Sequence, residues 1–463
     1  MSDDAGYRRQ VLKGAATALA SAMLAPRALA FAPDVADPPP SAAAAGAAPA
    51  SREQPVYRMQ GFPLNQVRLL DGEFATAAAA NLRYLRSLPV DRLAHSFRVQ
   101  AGIASHAAPL GGWEKPDCEL RGHFSGGHYL SAVALAWASH GDRLLKERGD
   151  QLVAALAACQ QANGYLSAFP ENFFDRLSRG QKVWAPFYTI HKIQAGMLDM
   201  YLHAGNQQAL QVATGIGNWV VRWLNGFSDE EIAHILKVEY GGLNESMYEL
   251  YAVTGNDRYL DAAHRFDQAS LFGPLAAHRD ELQGLHSNTQ VPKIIGAARR
   301  YELTGEPRYR RIAEFFWETV TRNRTYATGG SSNDEFWKTG PGDLKGQLGL
   351  YSAECCVAYN LLKLTDHVYR WSGDPRAFDY YERTLYNARL GTQDDDGMKL
   401  YYYSLRPGGA KVFNTPTDSF WCCTGTGAEE FARFNGSIYF RDGQDLYVNL
   451  FIRSKLEWPK QKL

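Results

Sequence analysis

Residues 251–260 read YAVTGNDRYL and residues 301–310 read YELTGEPRYR. In each, an apolar-periodic stretch stops at a glycine, a polar or proline-bearing turn follows, and a new helical stretch begins. Glycine supplies the left-handed residue that ends a helix, and Asp, Asn or Pro opens the next one. The phrase recurs at Gly141 in WASHGDRLL, at Gly205 in YLHAGNQQAL and at Gly373 in YRWSGDPRAF. The interval of roughly 50–70 residues suits a helix pair and its loop. Val357, Leu361, Leu364 and Val368 form one apolar stripe on such a helix, and Leu130, Val133, Leu135 and Trp137 cover a wider face. The pattern predicts a mainly α chain of helical hairpins. They close into an (α/α)6 barrel or stay open as a solenoid, and the repeat alone does not decide which. A closed ring gathers inner-helix N-termini and long loops on one concave face, where site residues usually sit.

Outward from this repeat the character changes at both ends. Residues 1–30 carry Arg8-Arg9, a short alanine-rich apolar run and Ala28-Leu29-Ala30. That is the pattern of a twin-arginine signal peptide, and the run is shorter than the ~20 residues of a membrane span. It predicts a periplasmic or secreted protein with no stable membrane insertion after cleavage. Residues 31–54, including PPPSAAAAGAAPAS at 38–51, read as a low-complexity linker. The barrel is expected over 55–440. GMKLYYYSLRPG (397–408) and GSIYFRDGQDLYVNLFIRSKLEW (436–458) read as strands, with 441–463 the start of an incomplete β-sandwich region. Formal net charge is zero and no Lys/Arg block follows residue 30, which argues against a nucleic-acid partner. No phosphate loop, dinucleotide fingerprint or serine elbow is present.

Four of the six cysteines fall in two adjacent pairs, Cys355-Cys356 in YSAECCVAYNLLKL and Cys422-Cys423 in FWCCTGTGAEE, with Glu354 beside the first. Three thiolates and a carboxylate suffice for a tetrahedral zinc site, and a thiolate is also the reactive form of cysteine. One of these sulfurs is therefore a ligand, a nucleophile or both, with a Cys356–Cys422 disulfide as the alternative in an oxidising compartment. TYATGGSSNDEFWKTG (325–340) is a loop whose Asp334-Glu335 can reach the same face and supply an acid. Of His123, His128, His191 and His286, three lie beside glycine, proline or polar turns at helix starts, and Asn244-Glu245 and Trp113-Glu114 each follow a glycine pair. Single histidines and loop carboxylates are more often packed or solvated than functional.

At GGWE, RGHFSGGHYLSA, NGYLSAFPE, FYTIHKIQAGMLDMY, GGLNESMYEL, HSNTQVPK, GGSSNDEFW, ECCVAYNLLKL and FWCCTGTGAEEFARFNGSIYF the chain resembles a known group. These motifs are similar to those of the β-L-arabinofuranosidases of glycoside hydrolase families 127 and 146, long called domain of unknown function 1680. The resemblance runs from about Val67 to the end. It implies an (α/α)6 barrel followed by β-sandwich material, and retaining hydrolysis of an arabinofuranoside. It implies zinc held by Glu354, Cys356, Cys422 and Cys423, with Cys422 as nucleophile and Glu335 as acid/base. It places His191, His286, Asn244 and Tyr401 against the sugar. Cys355 stands where many relatives have serine or threonine. Relatives continue further into a β-rich region, so an exposed apolar flank is expected here. A homodimer is compatible with this reading. A non-catalytic zinc-containing carbohydrate-binding protein, or another (α/α)6 sugar-active enzyme such as a uronyl hydrolase or lyase, are the alternatives.

Overall fold

A computed structural model of the chain describes residues 57–459. The signal-peptide and linker readings, on residues 1–54, lie outside the described residues. Twelve helices make the barrel. They are α1 (Glu73–Ser87), α2 (Tyr129–His140), α3 (Arg143–Ala157), α4 (Pro186–Ala204), α5 (Gln207–Leu224) and α6 (Leu243–Thr254). Then follow α7 (Asp257–His264), α8 (Ser287–Thr304), α9 (Pro307–Asn323), α10 (Cys355–Ser372), α11 (Pro375–Thr384) and α12 (Cys422–Phe431). Each even-numbered helix packs on the next even-numbered one, and α12 packs on α2, so the inner layer is a closed ring of six. The odd-numbered helices back them from outside. An open solenoid is thereby excluded. The sixth outer helix is α1, from the start of the described chain, which packs on α12.

The glycine phrase works as its chemistry dictates. Gly141, Gly205, Gly255, Gly305 and Gly373 end α2, α4, α6, α8 and α10 with φ of 68, 71, 69, 72 and 68°. Asp142, Asn206, Asn256 and Asp374 then cap the following outer helices by accepting a backbone N–H. At the fourth junction Pro307 opens α9 with no side-chain cap. On α10 the stripe Val357, Leu361, Leu364 and Val368 is buried against the outer layer, each side chain contributing roughly 2 kcal/mol. A neighbouring face carries Asn360, Lys363 and His367 into the ring.

Five short strands lie beside the barrel: β1 (Gln60–Gly61), β2 (Val67–Leu69), β3 (Tyr439–Asp442), β4 (Asp445–Val448) and β5 (Ser454–Leu456). They form an antiparallel sheet β1-β3-β4 and an antiparallel pair β2-β5, with Gln60 opposite Arg441 and Val67 opposite Leu456. The two ends of the described chain thus share both sheets, and the boundary expected at 440/441 falls inside β3. Leu446, Val448 and Phe451 of this segment are exposed. The strand expected over 397–408 does not form. Its backbone instead makes only isolated bridges to scattered partners, among them Leu400 N–H to Thr392 O, Asn414 N–H to Lys399 O, Cys355 N–H to Tyr401 O, and Tyr403 N–H to Ala353 O. Among the described residues no helix is long and apolar enough to cross a membrane.

Candidate active site

Two neighbouring inner helices begin at the same place with the same kind of residue. Glu354 is the N-cap of α10, and Cys355 and Cys356 are its first residues; Cys422 and Cys423 are the first residues of α12. Free N–H groups and the positive helix end favour thiolate and carboxylate there. Each helix is entered through a left-handed non-glycine residue, Ala353 (φ 53°) and Phe420 (φ 48°). Such conformations cost about 1–3 kcal/mol each and persist where the surroundings enforce them.

The sulfurs of Cys356, Cys422 and Cys423 and a carboxylate oxygen of Glu354 all lie within 4.8 Å of one another. Cys356 Sγ is 3.0 Å from Cys423 Sγ, Cys422 Sγ is 3.8 Å from Cys423 Sγ, and Cys422 Sγ is 3.9 Å from Glu354 Oε1. A tetrahedral ion with ~2.3 Å zinc–sulfur bonds separates its ligands by about 3.8 Å. All four residues are buried, all six cysteines are free thiols, and Glu354 Oε2 is buried with no hydrogen-bond partner. A soft-donor set with an orphaned carboxylate oxygen fits a zinc-type cation. Without one the set is electrostatically uneven. The Cys356 and Cys423 thiols and Tyr401 hold Cys422 well below the ordinary thiol range. Burial drives Cys356, Cys423 and Glu354 up.

Glu335 arrives from the irregular chain between α9 and α10. It is itself left-handed (φ 70°), as are Ser332 and Asp334. Its main-chain carbonyl is clamped by Ser287 at the start of α8, which donates its N–H (2.7 Å) and hydroxyl (2.6 Å). The carboxylate accepts from Tyr401 OH, from Tyr402 OH at 2.8 Å and from His286 Nε2 at 3.1 Å. Burial alone would raise its pKa; His286 and the two tyrosines outweigh burial and hold it at about 2. His286 stands at the N-cap of α8, its Nδ1 3.4 Å from Thr289 N and its Nε2 turned to Glu335. Burial pulls its pKa down, but Glu335 and then Glu239 more than compensate, and it ends above the ordinary value.

These groups meet at a cavity of about 160 Å³ whose wall includes Cys422, Glu354, Glu335, His286, Tyr401 and Trp113. A model of the β-L-arabinofuranosidase catalytic domain of glycoside hydrolase family 127 matches residues 66–436. The chain belongs to this family. Among solved structures it is similar to a family 127 β-arabinofuranosidase with 19% identity and a TM-score of 0.68, covering 88% of this chain and 66% of that one. A family 127 β-L-arabinofuranosidase from Geobacillus stearothermophilus T6 matches at 19% identity and a TM-score of 0.66, covering 84% and 68%. The chain therefore spans about two thirds of the length of these structures. No curated protein matches.

Within this family 127 domain the residues singled out from sequence separate into two groups. Cys422, Glu354, Glu335, His286 and Tyr401 line the small cavity, with Cys356 and Cys423 behind Cys422. His191 lines a different, wider cavity; its Nδ1 accepts from Gly242 N–H at 3.0 Å, and burial holds it neutral. Asn244 is fully buried between α6 and α8, donating to Lys293 O at 3.0 Å, and lines neither cavity. His123 and His128 are buried against Glu114 and Glu429. Sequence reasoning missed Tyr402, Tyr188, Asn288, Glu239 and Trp184. Tyr188, Asn288, Glu239 and Trp184 line the cavity and Tyr402 donates to Glu335 beside it; all lie within or near quoted stretches, but a motif does not say which of its residues points inward. Glu239 is half-buried there, and burial, with Cys422 nearby, raises its pKa.

Proposed function

We propose that the chain is a retaining glycoside hydrolase releasing L-arabinose from β-L-arabinofuranosides of plant cell-wall glycans or glycoproteins. One observation carries this: three thiols and a carboxylate converge at a cavity that a second carboxylate, Glu335, enters from a separate, strained loop. Glu354, Cys356, Cys422 and Cys423 would hold zinc. When bound, zinc keeps its thiol ligands deprotonated at neutral pH.

Cys422 is the sulfur that faces the cavity. Its thiolate attacks the anomeric carbon; a carbon–sulfur bond forms as the glycosidic carbon–oxygen bond breaks, and the leaving oxygen takes a proton. That proton belongs to the Glu335–His286 pair. Glu335 with a pKa near 2 is ionised in the free protein, and the raised His286 keeps a proton on the pair. A substrate that draws Tyr401 or Tyr402 off the carboxylate removes a bond holding Glu335 low, and the proton passes to it. Glu335, again ionised, then takes a proton from water, which displaces the sulfur and frees the sugar with net retention.

The test is release of nitrophenol from p-nitrophenyl β-L-arabinofuranoside by the purified protein with zinc and a reductant, beside Cys422→Ala. Turnover lost in the variant is the expected result. Full activity in Cys422→Ala sinks the nucleophile assignment.

A further inference from the structure

Trp184 is 45% exposed and yet forms part of the wall of the cavity that holds Cys422 and Glu335. A large aromatic side chain left in water at such a place is held there by its surroundings. Its backbone N–H donates to Glu119 Oε2 at 2.7 Å, and Glu119 Oε1 is fixed by Arg176 Nη1 at 2.7 Å. The next residue, Ala185, is buried and left-handed (φ 45°), an unfavourable conformation for a residue with a Cβ, and Pro186 then starts α4. This turn directs the indole outward.

Behind Trp184 stands Trp113, edge-on at 5.0 Å. Trp113 N–H donates to Ser419 O at 2.9 Å, just ahead of Cys422. That approach requires Gly112, where a Cβ would lie 1.9 Å from Ser419 O. Trp113 in turn meets Tyr401 at 6.1 Å, and Tyr401 donates to Glu335. A continuous aromatic run therefore leads from solvent to the acid/base.

We propose that Trp184, backed by Trp113, is the platform for the group on the leaving side of the scissile bond, and that it selects substrates in which that group is a second neutral sugar ring. This rests on the hydrolase reading above. The reacting carbon must lie against Cys422 at the buried floor, with the leaving oxygen at Glu335. Whatever is attached beyond that oxygen extends toward the mouth, where Trp184 stands. An indole face suits the C–H face of a neutral sugar ring, and Glu239 in the wall can hydrogen-bond its hydroxyls.

The experiment compares methyl β-L-arabinofuranoside with a β-L-arabinofuranosyl-arabinose disaccharide in wild type, Trp184→Ala and Trp184→Phe. The expected result is a fall of about tenfold in the ratio of kcat/KM for disaccharide over methyl glycoside in Trp184→Ala, carried by KM. Trp184→Phe should recover most of it. An unchanged ratio, including an equal loss on both substrates, overturns the platform and leaves the hydrolase reading intact. A wild-type protein that cleaves only the methyl glycoside also overturns the platform alone. One that cleaves neither overturns the hydrolase reading and the platform with it.

Discussion

Two cavities of the ring, both lined by buried acids, differ in how much backbone strain surrounds them. The wider, about 380 Å³, lies among the middle and later turns of the inner helices; the narrower, about 160 Å³, lies at their N-termini. In the wider one, acids meet partners: Lys363 with Glu245 (3.1 Å), Arg299 with Glu249 (2.8 Å) and Glu302 (3.2 Å), and His367 with Glu302 (2.7 Å). Glu429 accepts from Tyr359 OH, and Glu430 from Arg389. In the narrower one, Glu354 Oε2 and Tyr188 OH are buried with no partner. Six of the seven left-handed non-glycine residues among the described ones, Ala185, Ser332, Asp334, Glu335, Ala353 and Phe420, stand in or beside its walls. Charge density does not distinguish the two. Stored backbone strain does, because folding alone gives no reason to keep it, whereas orphaned buried polar atoms stand beside both, Glu430 Oε1 in the wider wall among them.

The comparison can be broken most directly by activity. Cys422→Ala should lower nitrophenyl arabinofuranoside turnover about 10⁴-fold or more, whereas Lys363→Met, in the wider cavity, should stay within about threefold. Equal collapse of both variants would show that the cavities are not functionally distinct. Glu335→Gln should lower kcat by about 10²–10⁴-fold with helical circular dichroism unchanged.

Stability should report on the other cavity. Glu302 is fully buried, and its partners His367 and Arg299 overcome burial to hold its pKa at about 2. Glu302→Gln should therefore cost roughly 3–5 kcal/mol in urea unfolding while turnover per folded molecule is kept. The sign follows from linkage. A carboxylate lowered on folding stabilises fully above its unfolded pKa of ~4.3, and that stability drains as pH falls toward 2. Wild type should lose stability across that acid window, and Glu302→Gln should lose less.

The smallest effect sharpens the role of His286. With one proton shared by the pair, kcat/KM should fall on the acid side near the Glu335 pKa of about 2, and on the alkaline side above the ordinary histidine pKa of ~6.5. In His286→Asn the proton must sit on Glu335 itself, so the alkaline limb should move below pH ~6.5. A pH–rate profile with an unmoved limb would remove His286 from the proton path.

Much of this was legible because it is local. The five glycine junctions depend on φ and on a cap a few residues away, so they read correctly without tertiary information. The residue types at 354–356 and 422–423 likewise announce soft-donor chemistry by themselves. Segment 397–408 misled because aromatic, β-favouring residues there serve Glu335, and their backbone finds partners at Thr392, Cys355 and Ala353. His191 and Asn244 sit at helix starts like His286, yet the turn of their helices aims them elsewhere.

The sequence by itself determined where helices stop and start, which residues can bind a cation, and which loop brings a second carboxylate. Each is a property of a few neighbouring residues. Only the tertiary structure decided that the hairpins close, since closure needs α12 against α2 and α1 behind it, across most of the chain. It also decided that Cys356 approaches Cys423 across 67 residues of sequence, that two tyrosines and a histidine converge on one carboxylate, and that Trp184 stands at the mouth. Such contacts follow from packing between distant segments, where no local preference speaks.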